Sequence, residues 1–339
     1  MKRRLVKIAL LAPLIAFAGV LVWFFAVRAA SPLYALTIRT NPAAPPPRPF
    51  NGTLRIVTYN ICHGRGNDAN VWPIRDKAAL DKRLKGIADF LKTESPDLAV
   101  LQEVDFDSMF TGHVNQAEYI AKEAGFPYWV EQRNIDVDAP FLYTLRFGNV
   151  ILSRYPFTSA RRVKFPPYAM WELIMAGCAR AVLCEVELPG KGRVRLLGTH
   201  LESRSEKTRV ESAKIIEEIR KSSPLPFIVA GDLNSTPKGF PGSQQFNGMN
   251  ALSLLLEGGG YATLPREKPT EQDHTISAAR PSAYVIDWIL VPPTWHILSR
   301  RAVPLPWSDH RAVVMDVAPS GPAEAGRDDS SECRPPRTR

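Results

Sequence analysis

The sequence predicts an α/β fold of four layers, two packed and mainly antiparallel sheets flanked by helices. Three observations carry this. Strand-like runs outnumber helical ones, the two types interleave along the chain, and no internal repeat or regular strand–helix alternation marks a single parallel sheet. In addition, four apolar, β-favouring runs each lead into a polar motif: Leu54 to Thr58, Leu98 to Leu101, Val194 to Leu197 and Phe227 to Ala230. Strands that carry polar side chains at their ends are how sheets build a binding mouth.

Taken in order, Ile8 to Val27 is an uncharged run preceded by Lys2, Arg3, Arg4 and Lys7. As a helix, the twenty residues of this run span roughly 30 Å, the thickness of a bilayer's hydrocarbon core, and residues 1–30 read as a signal anchor. The charge bias across it places the N-terminus in the cytoplasm and the following domain on the outer, periplasmic side of an inner membrane. The competing reading, a cleaved signal peptide, is disfavoured by the length of the run and by Arg28 at the candidate cleavage site. A buried core helix would need a polar face that this run lacks. Residues 31–52, with Pro32, Pro42, Pro45, Pro46, Pro47 and Pro49, read as a linker of extended backbone, able to reach at most about 60 Å.

The folded body is expected over 53–317. Leu80 to Thr93 has apolar residues at helical spacing, and Gln116 to Ala124 is a second helix stopped by Gly125 and Pro127. Asn149 to Leu152 and Ala181 to Val186 read as strands. Ser205 to Ser222 is a long amphipathic helix and Asn250 to Leu256 a short one. Tyr284 to Val291 and Val313 to Val317 are the last strands. From residue 318 on, proline, glycine, serine and mixed charges predict a disordered tail.

A net charge of +9 suggests a polyanion partner until it is located along the chain. Residues 1–50 contribute +7, residues 318–339 nothing, and the body only +2. This lacks the clustered excess of a dedicated duplex binder, although Arg161, Arg162 and Lys164 beside Phe165 and Tyr168 could line a substrate edge. The four cysteines, Cys62, Cys178, Cys184 and Cys333, show no zinc spacing. Cys178 and Cys184 lie about 20 Å apart on one extended segment and cannot pair with each other. Cys62 reads as a small buried thiol.

Five motifs follow in order: Val57-Thr58-Tyr59-Asn60, Leu101-Gln102-Glu103-Val104-Asp105, Gly198-Thr199-His200-Leu201, Gly231-Asp232-Leu233-Asn234-Ser235-Thr236-Pro237 and Ser308-Asp309-His310-Arg311. Their donors are carboxylates, carboxamides and imidazoles without a thiolate pair, a set that suits a hard cation such as Mg²⁺ or Mn²⁺. Asp232 and Asn234, two apart at a strand end, share a face and could orient a water and a phosphate oxygen. Asp287, inside an apolar strand, needs a buried partner, for which an imidazole is suited. Asp309 and His310 point to opposite sides if their backbone is extended. His63, His113, His274 and His296 read as surface or loop residues. Singly, each motif has an ordinary reading as a turn or a strand-end acid. Jointly, they predict hydrolysis of a phosphoester.

Together the motifs resemble the endonuclease/exonuclease/phosphatase superfamily, with its DNase-I-like fold, over about residues 53–317. The resemblance implies Asn60, Glu103 and Asp309 on the metal side, and His200, Asp232, Asn234, Asp287 and His310 as catalytic residues, Asp287 orienting His310. The run from Asn60 to Gly64 also resembles a bacterial subgroup with Tyr-Asn-Ile-His-His-Gly at this place, Cys62 replacing the first histidine. Arg180 stands where many members have an arginine. The expected substrate is a lipid headgroup or small phosphoester at the outer membrane face. Nucleic acid is possible but less favoured, and a non-catalytic scaffold least, because every motif position is intact.

Overall fold

The computed structural model describes residues 2–30, 36–67, 74, 76–139, 143–172, 179–258, 260–276 and 285–320. Cys178, Cys333, Tyr284, residues 321–339 of the expected tail and the Arg180 side chain lie outside this set. Helices are α1 (Lys2–Ala30), α2 (Lys77–Glu94), α3 (Gln116–Glu123), α4 (Glu206–Lys221) and α5 (Ala251–Glu257). Strands are β1 (Ile38–Thr40), β2 (Leu54–Asn60), β3 (Leu98–Asp105), β4 (Tyr128–Ala139), β5 (Tyr143–Ser153), β6 (Phe157–Lys164), β7 (Ala179–Leu188), β8 (Gly192–His200), β9 (Phe227–Asp232), β10 (Asp287–Leu290), β11 (His296–Val303) and β12 (Ala312–Ala318).

The described strands form a seven-stranded sheet in the order β1-β4-β5-β3-β2-β12-β11 and a five-stranded sheet in the order β10-β9-β8-β7-β6. Pairing is antiparallel except for β2 with β3 and β8 with β9. Strand alternation explains the layers. In β2, Leu54 and Ile56 join the apolar core between the sheets, while Val57 and Tyr59 join the core under α2 and α3. In β9, Ile228 and Ala230 face the other sheet, and Phe227 and Val229 pack under α4 and α5. The four-layer sandwich is as predicted.

Local chemistry marks the helix ends. Asp76 accepts a bond from the Ala79 amide at 3.0 Å to start α2, and Ser205 caps α4 through the Thr208 amide at 3.3 Å. Such caps contribute about 1 kcal/mol each. Leu80, Leu84, Ile87 and Leu91 bury one face of α2, each worth about 1.5–3 kcal/mol.

The N-terminal segment departs from expectation. Residues 36–52 are attached to the domain and are not a free linker. Ile38 and Thr40 pair with Val130 and Tyr128 of β4, and Arg48 reaches the buried Asp97 at 3.1 Å. The cause is the domain itself: β4 would otherwise present an open edge, and the buried Asp97 gains an ion pair with Arg48. The expected reach of about 60 Å is therefore not available. Lys2–Ala30 is one helix, and among its described side chains Leu14, Ile15, Phe17, Val22, Trp23 and Phe25 are exposed. Among the described residues, no helix is long and apolar enough to cross a membrane, so the anchor expected over Ile8 to Val27 rests on the sequence.

Four strands escaped the sequence reading: β1, β4, β6 and β11. Three are sheet edges, where one exposed face removes the apolar run. β11 has only exposed and half-buried residues. Opposite β5, the outer edge of β4 is paired among the described residues only with the three residues of β1. Its polar stretch Asn134-Ile135-Asp136-Val137-Asp138 lacks a continuous hydrophobic signal.

Candidate active site

The same alternation that builds the inter-sheet core delivers the polar residues. Asn60, His200, Asp232 and Asp287 continue the parity of inter-sheet residues on β2, β8, β9 and β10. Each stands where its strand leaves that core. Register holds them level: His200 pairs with Asp232, and Asp232 with Asp287. Gly231, at φ +154°, permits the close pairing beside Asp232, because a Cβ there would sit 1.8 Å from the Thr199 carbonyl oxygen.

Glu103 reaches the same cleft by a different device. Ala99 and Leu101 face the helices, yet Val104 and Phe106 do so as well. The β3–β5 register shifts between Leu101 and Val104, and Glu103 has φ +52°. This bulge adds one residue and turns Glu103 toward the site. Asp309 and His310 also depart from the extended geometry expected of them. A bend at Asp309 brings both onto one cleft instead of opposite sides. Ser308 stabilises the bend by donating to the Asn60 carbonyl at 2.6 Å and accepting from the His310 amide at 3.1 Å.

Asp232 is the hub. Its Oδ2 accepts from Asn60 Nδ2 at 3.1 Å and lies 3.4 Å from His200 Nε2 and 3.8 Å from His310 Nε2. Its Oδ1 accepts from the Asn234 amide at 3.0 Å. Asn234, at φ +47°, donates its side-chain amide to the Leu201 carbonyl. Asn60 Nδ2 also donates to Glu103 Oε1 at 3.2 Å. His310 Nδ1 lies 2.9 Å from the fully buried Asp287, which leaves Nε2 facing the cleft. All eight predicted residues therefore meet at or directly behind one cleft of about 440 Å³.

Electrostatics follow from burial and crowding. Burial opposes charge on His310, but Asp287, Asp232 and Asp309 outweigh it and raise its pKa to about 10. Burial together with the Asp287 charge pushes Asp232 up. Burial works against the Glu103 carboxylate, yet its bond to His63 and the charges of His63, His200 and His310 hold it well below the usual range.

His63 is a residue that sequence reasoning misplaced. It is buried, with Nδ1 2.7 Å from Asp105 and Nε2 3.2 Å from Glu103. Burial disfavours its charge, but hydrogen bonds to these two carboxylates raise its pKa to about 9. Its place three residues after Asn60, in the run resembling Tyr-Asn-Ile-His-His-Gly, was the available signal. The alternation rule hid it, because residues 62–64 form a 3₁₀ turn with positive φ at Cys62 and His63. Cys62 is a buried free thiol pushed up to about 12 by burial and the nearby acids, and Cys184 is also free and buried. His113 is exposed as expected.

The residues fit a divalent cation. The half-buried Glu103 and the buried Asp232 carboxylates are bridged by a single amide group at 3.2 and 3.1 Å. Asp287 Oδ1 is buried without a hydrogen-bond partner. Asp232, Asp287 and His310 bring their ligand atoms within 4.8 Å of one another. Such crowding of oxygen donors, with no thiolate shell, suits a hard cation.

Comparison with known proteins agrees with this geometry. No protein of curated function matches the chain significantly. Among solved structures, an endonuclease/exonuclease/phosphatase protein of Beutenbergia cavernae is 23% identical with a TM-score of 0.60, covering 78% of this chain and 71% of that one. A mannosyl-6-phosphatase of Bacteroides thetaiotaomicron is 16% identical with a TM-score of 0.53, covering 78% and 99%. D. rerio TDP2 complexed with a single-strand DNA product is 17% identical with a TM-score of 0.53, covering 78% and 98%. At these identities the likeness is one of fold. The sequence model of the endonuclease/exonuclease/phosphatase family matches residues 57–310, and the chain belongs to that family.

Proposed function

We propose that this protein is a divalent-metal-dependent hydrolase of phosphoester bonds. The observation that carries the reading is the convergence of Asn60, Glu103, His200, Asp232, Asn234, Asp309 and His310 on one cleft, with Asp287 behind His310. Asn60, Glu103 and Asp309 are the residues that would hold Mg²⁺ or Mn²⁺. The ion would supply charge neutralisation on the phosphoryl oxygens and the leaving group. Asp232 and Asn234 orient the attacking water. Asp232 accepts its proton, for which a carboxylate pushed up by burial is suited. His310, held by Asp287 at Nδ1, directs Nε2 at a phosphate oxygen, and His200, whose Nε2 is 3.4 Å from Asp232 Oδ2, supplies a second imidazole donor. These donors stand ready where negative charge develops.

The favoured substrate is a lipid headgroup or small phosphoester at the outer face of a membrane, with α1 as the anchor. The uncharged run from Ile8 to Val27, the exposed apolar side chains of α1 and the nearly neutral body support this choice. The test is the purified protein with Mg²⁺ against phospholipid vesicles, inositol phosphates, sugar phosphates, nucleotides and plasmid DNA. Hydrolysis of a lipid or small phosphoester above plasmid nicking is expected. Efficient nicking with no release from the others would make the protein a nuclease, and no hydrolysis of any substrate would end the reading.

A further inference from the structure

The loop between β6 and β7 presents Tyr168, Met170 and Trp171 to solvent at 47%, 70% and 52% exposure. Its level in the fold follows from register. Lys164 pairs with Ala179, Val163 with Ala181, Ala181 with Thr199, and His200 with Asp232. The loop therefore leaves the sandwich at the end that carries the active site.

The loop is held outward by its neighbours. The Arg204 guanidinium lies over the Tyr168 ring at 4.4 Å and the Trp171 ring at 5.4 Å. Arg204 is itself held by Glu172 and by Glu202, the latter at 2.7 Å. Glu172 also accepts from the Tyr168 amide at 2.8 Å. Arg204 follows Ser203, a residue of the cleft wall. A rim that fixes large apolar side chains in water is built for contact with something apolar. Beside it, Arg161 and Lys164 are exposed on β6, complementing anionic groups near an apolar phase.

The direction of the N-terminal segment identifies the occupant. Ile38 pairs with Val130, so the chain before β1 runs toward Gln132 and Arg133, and Arg133 pairs with Gly148, itself the partner of Val104. Leu36 and Thr37 line a small cavity with Arg133 and Arg162. The described chain thus leaves β1 toward the catalytic end, on the side of the strand that leads into the loop, and the exposed apolar helix α1 precedes it in sequence. Tyr and Trp are the side chains that settle at the headgroup level of a bilayer.

We propose that the Tyr168–Trp171 loop is a lipid-contacting rim that seats the catalytic cleft on a bilayer surface, so that the substrate is a phosphoester headgroup presented by the membrane. The substrate part of this statement rests on the hydrolase reading; the lipid contact does not.

Two measurements on the full chain, reconstituted in phosphatidylcholine vesicles containing phosphatidylglycerol, separate these parts. In the first, a benzophenone amino acid replaces Met170 and, in a second protein, Lys191, an exposed residue at the far end of β8. Illumination should give lipid adducts at position 170 and none at 191. Absence of a lipid adduct at 170, equal adducts at both positions, or adducts only to protein or nucleic acid would overturn the proposal. In the second, Met170→Asp combined with Trp171→Asp should lower hydrolysis of vesicle phospholipid by about tenfold or more. Hydrolysis of soluble bis(p-nitrophenyl) phosphate should change by less than about twofold. An equal loss on both substrates, or no loss on vesicles, would overturn it. If the unsubstituted protein cleaves neither substrate, the hydrolase reading falls, and the adducts at 170 still decide the membrane contact.

Discussion

His63 Nε2 lies 3.2 Å from Glu103 Oε2, while Asp105 holds the other ring nitrogen at 2.7 Å. Glu103 is thus gripped from both sides, by Asn60 on Oε1 and His63 on Oε2, at a bulge where its own φ is +52°. The imidazole fixes the carboxylate on which cation binding would depend. Replacing His63 with Ala should weaken Mg²⁺ or Mn²⁺ affinity by about 10- to 100-fold, with a smaller effect on kcat at saturating metal. His63→Gln, which keeps a donor, should recover part of the loss. Titration calorimetry with Mn²⁺ measures this apart from turnover; unchanged affinity in His63→Ala would contradict it.

Activity should vanish in EDTA and return with Mg²⁺ or Mn²⁺. The residues that would hold the ion, Asn60, Glu103 and Asp309, offer oxygen atoms, so an excess of either ion restores the site without reducing agent. Full turnover in chelator would exclude the proposed mechanism.

The Asp287–His310 pair, 2.9 Å apart, makes a further point. His310→Ala should lower kcat by about 10²- to 10⁴-fold with KM little changed. Asp287→Asn should lower kcat as well, by loosening the ring that faces Asp232. Circular dichroism checks that the fold survives both changes. A His310→Ala protein with normal kcat would remove this residue from the mechanism.

Metal-free stability should depend on pH with a definite sign. His63 and His310 have pKa values raised to about 9 and about 10, against about 6.5 in the unfolded chain. Their contribution is fully present below about 6.5 and is lost as pH rises through the raised values. Urea midpoints in chelator should therefore fall between about pH 7 and 10. The fall should be smaller in a His63→Gln, His310→Gln double variant; an equal fall in both proteins would assign the effect elsewhere.

Gly231→Ala should destabilise the fold by about 3 kcal/mol or more. The new Cβ would lie 1.8 Å from the Thr199 carbonyl oxygen, which is backbone and cannot step aside cheaply. Since Thr199 and Gly231 are paired between His200 and Asp232 on one side and the strand bodies on the other, the same clash would misplace both site residues. A denaturation midpoint equal to that of the unsubstituted protein would show that β8 and β9 can part here.

The sequence by itself determined the layers and picked out most of the residues that meet at the candidate site. Buried strands such as β2, β3 and β9 declare themselves because each must be apolar on two faces, and Asn60, Glu103 and Asp232 are conspicuous as polar residues ending such runs. Helix periodicity likewise located α2 and α4 to within a few residues. Tertiary structure decided what depends on departures from regular backbone and on partners distant in sequence. The bulge at Glu103, the bend at Asp309 and the 3₁₀ turn at His63 each break the alternation from which side-chain direction is read. Edge strands β1, β6 and β11 are specified by an open neighbour as much as by their own residues, so their sequences carry no apolar run. For the same reason Arg48 and the proline-rich segment resembled a free linker, and only the buried Asp97 and the uncovered β4 edge, supplied by the folded domain, gave that segment a place to bind.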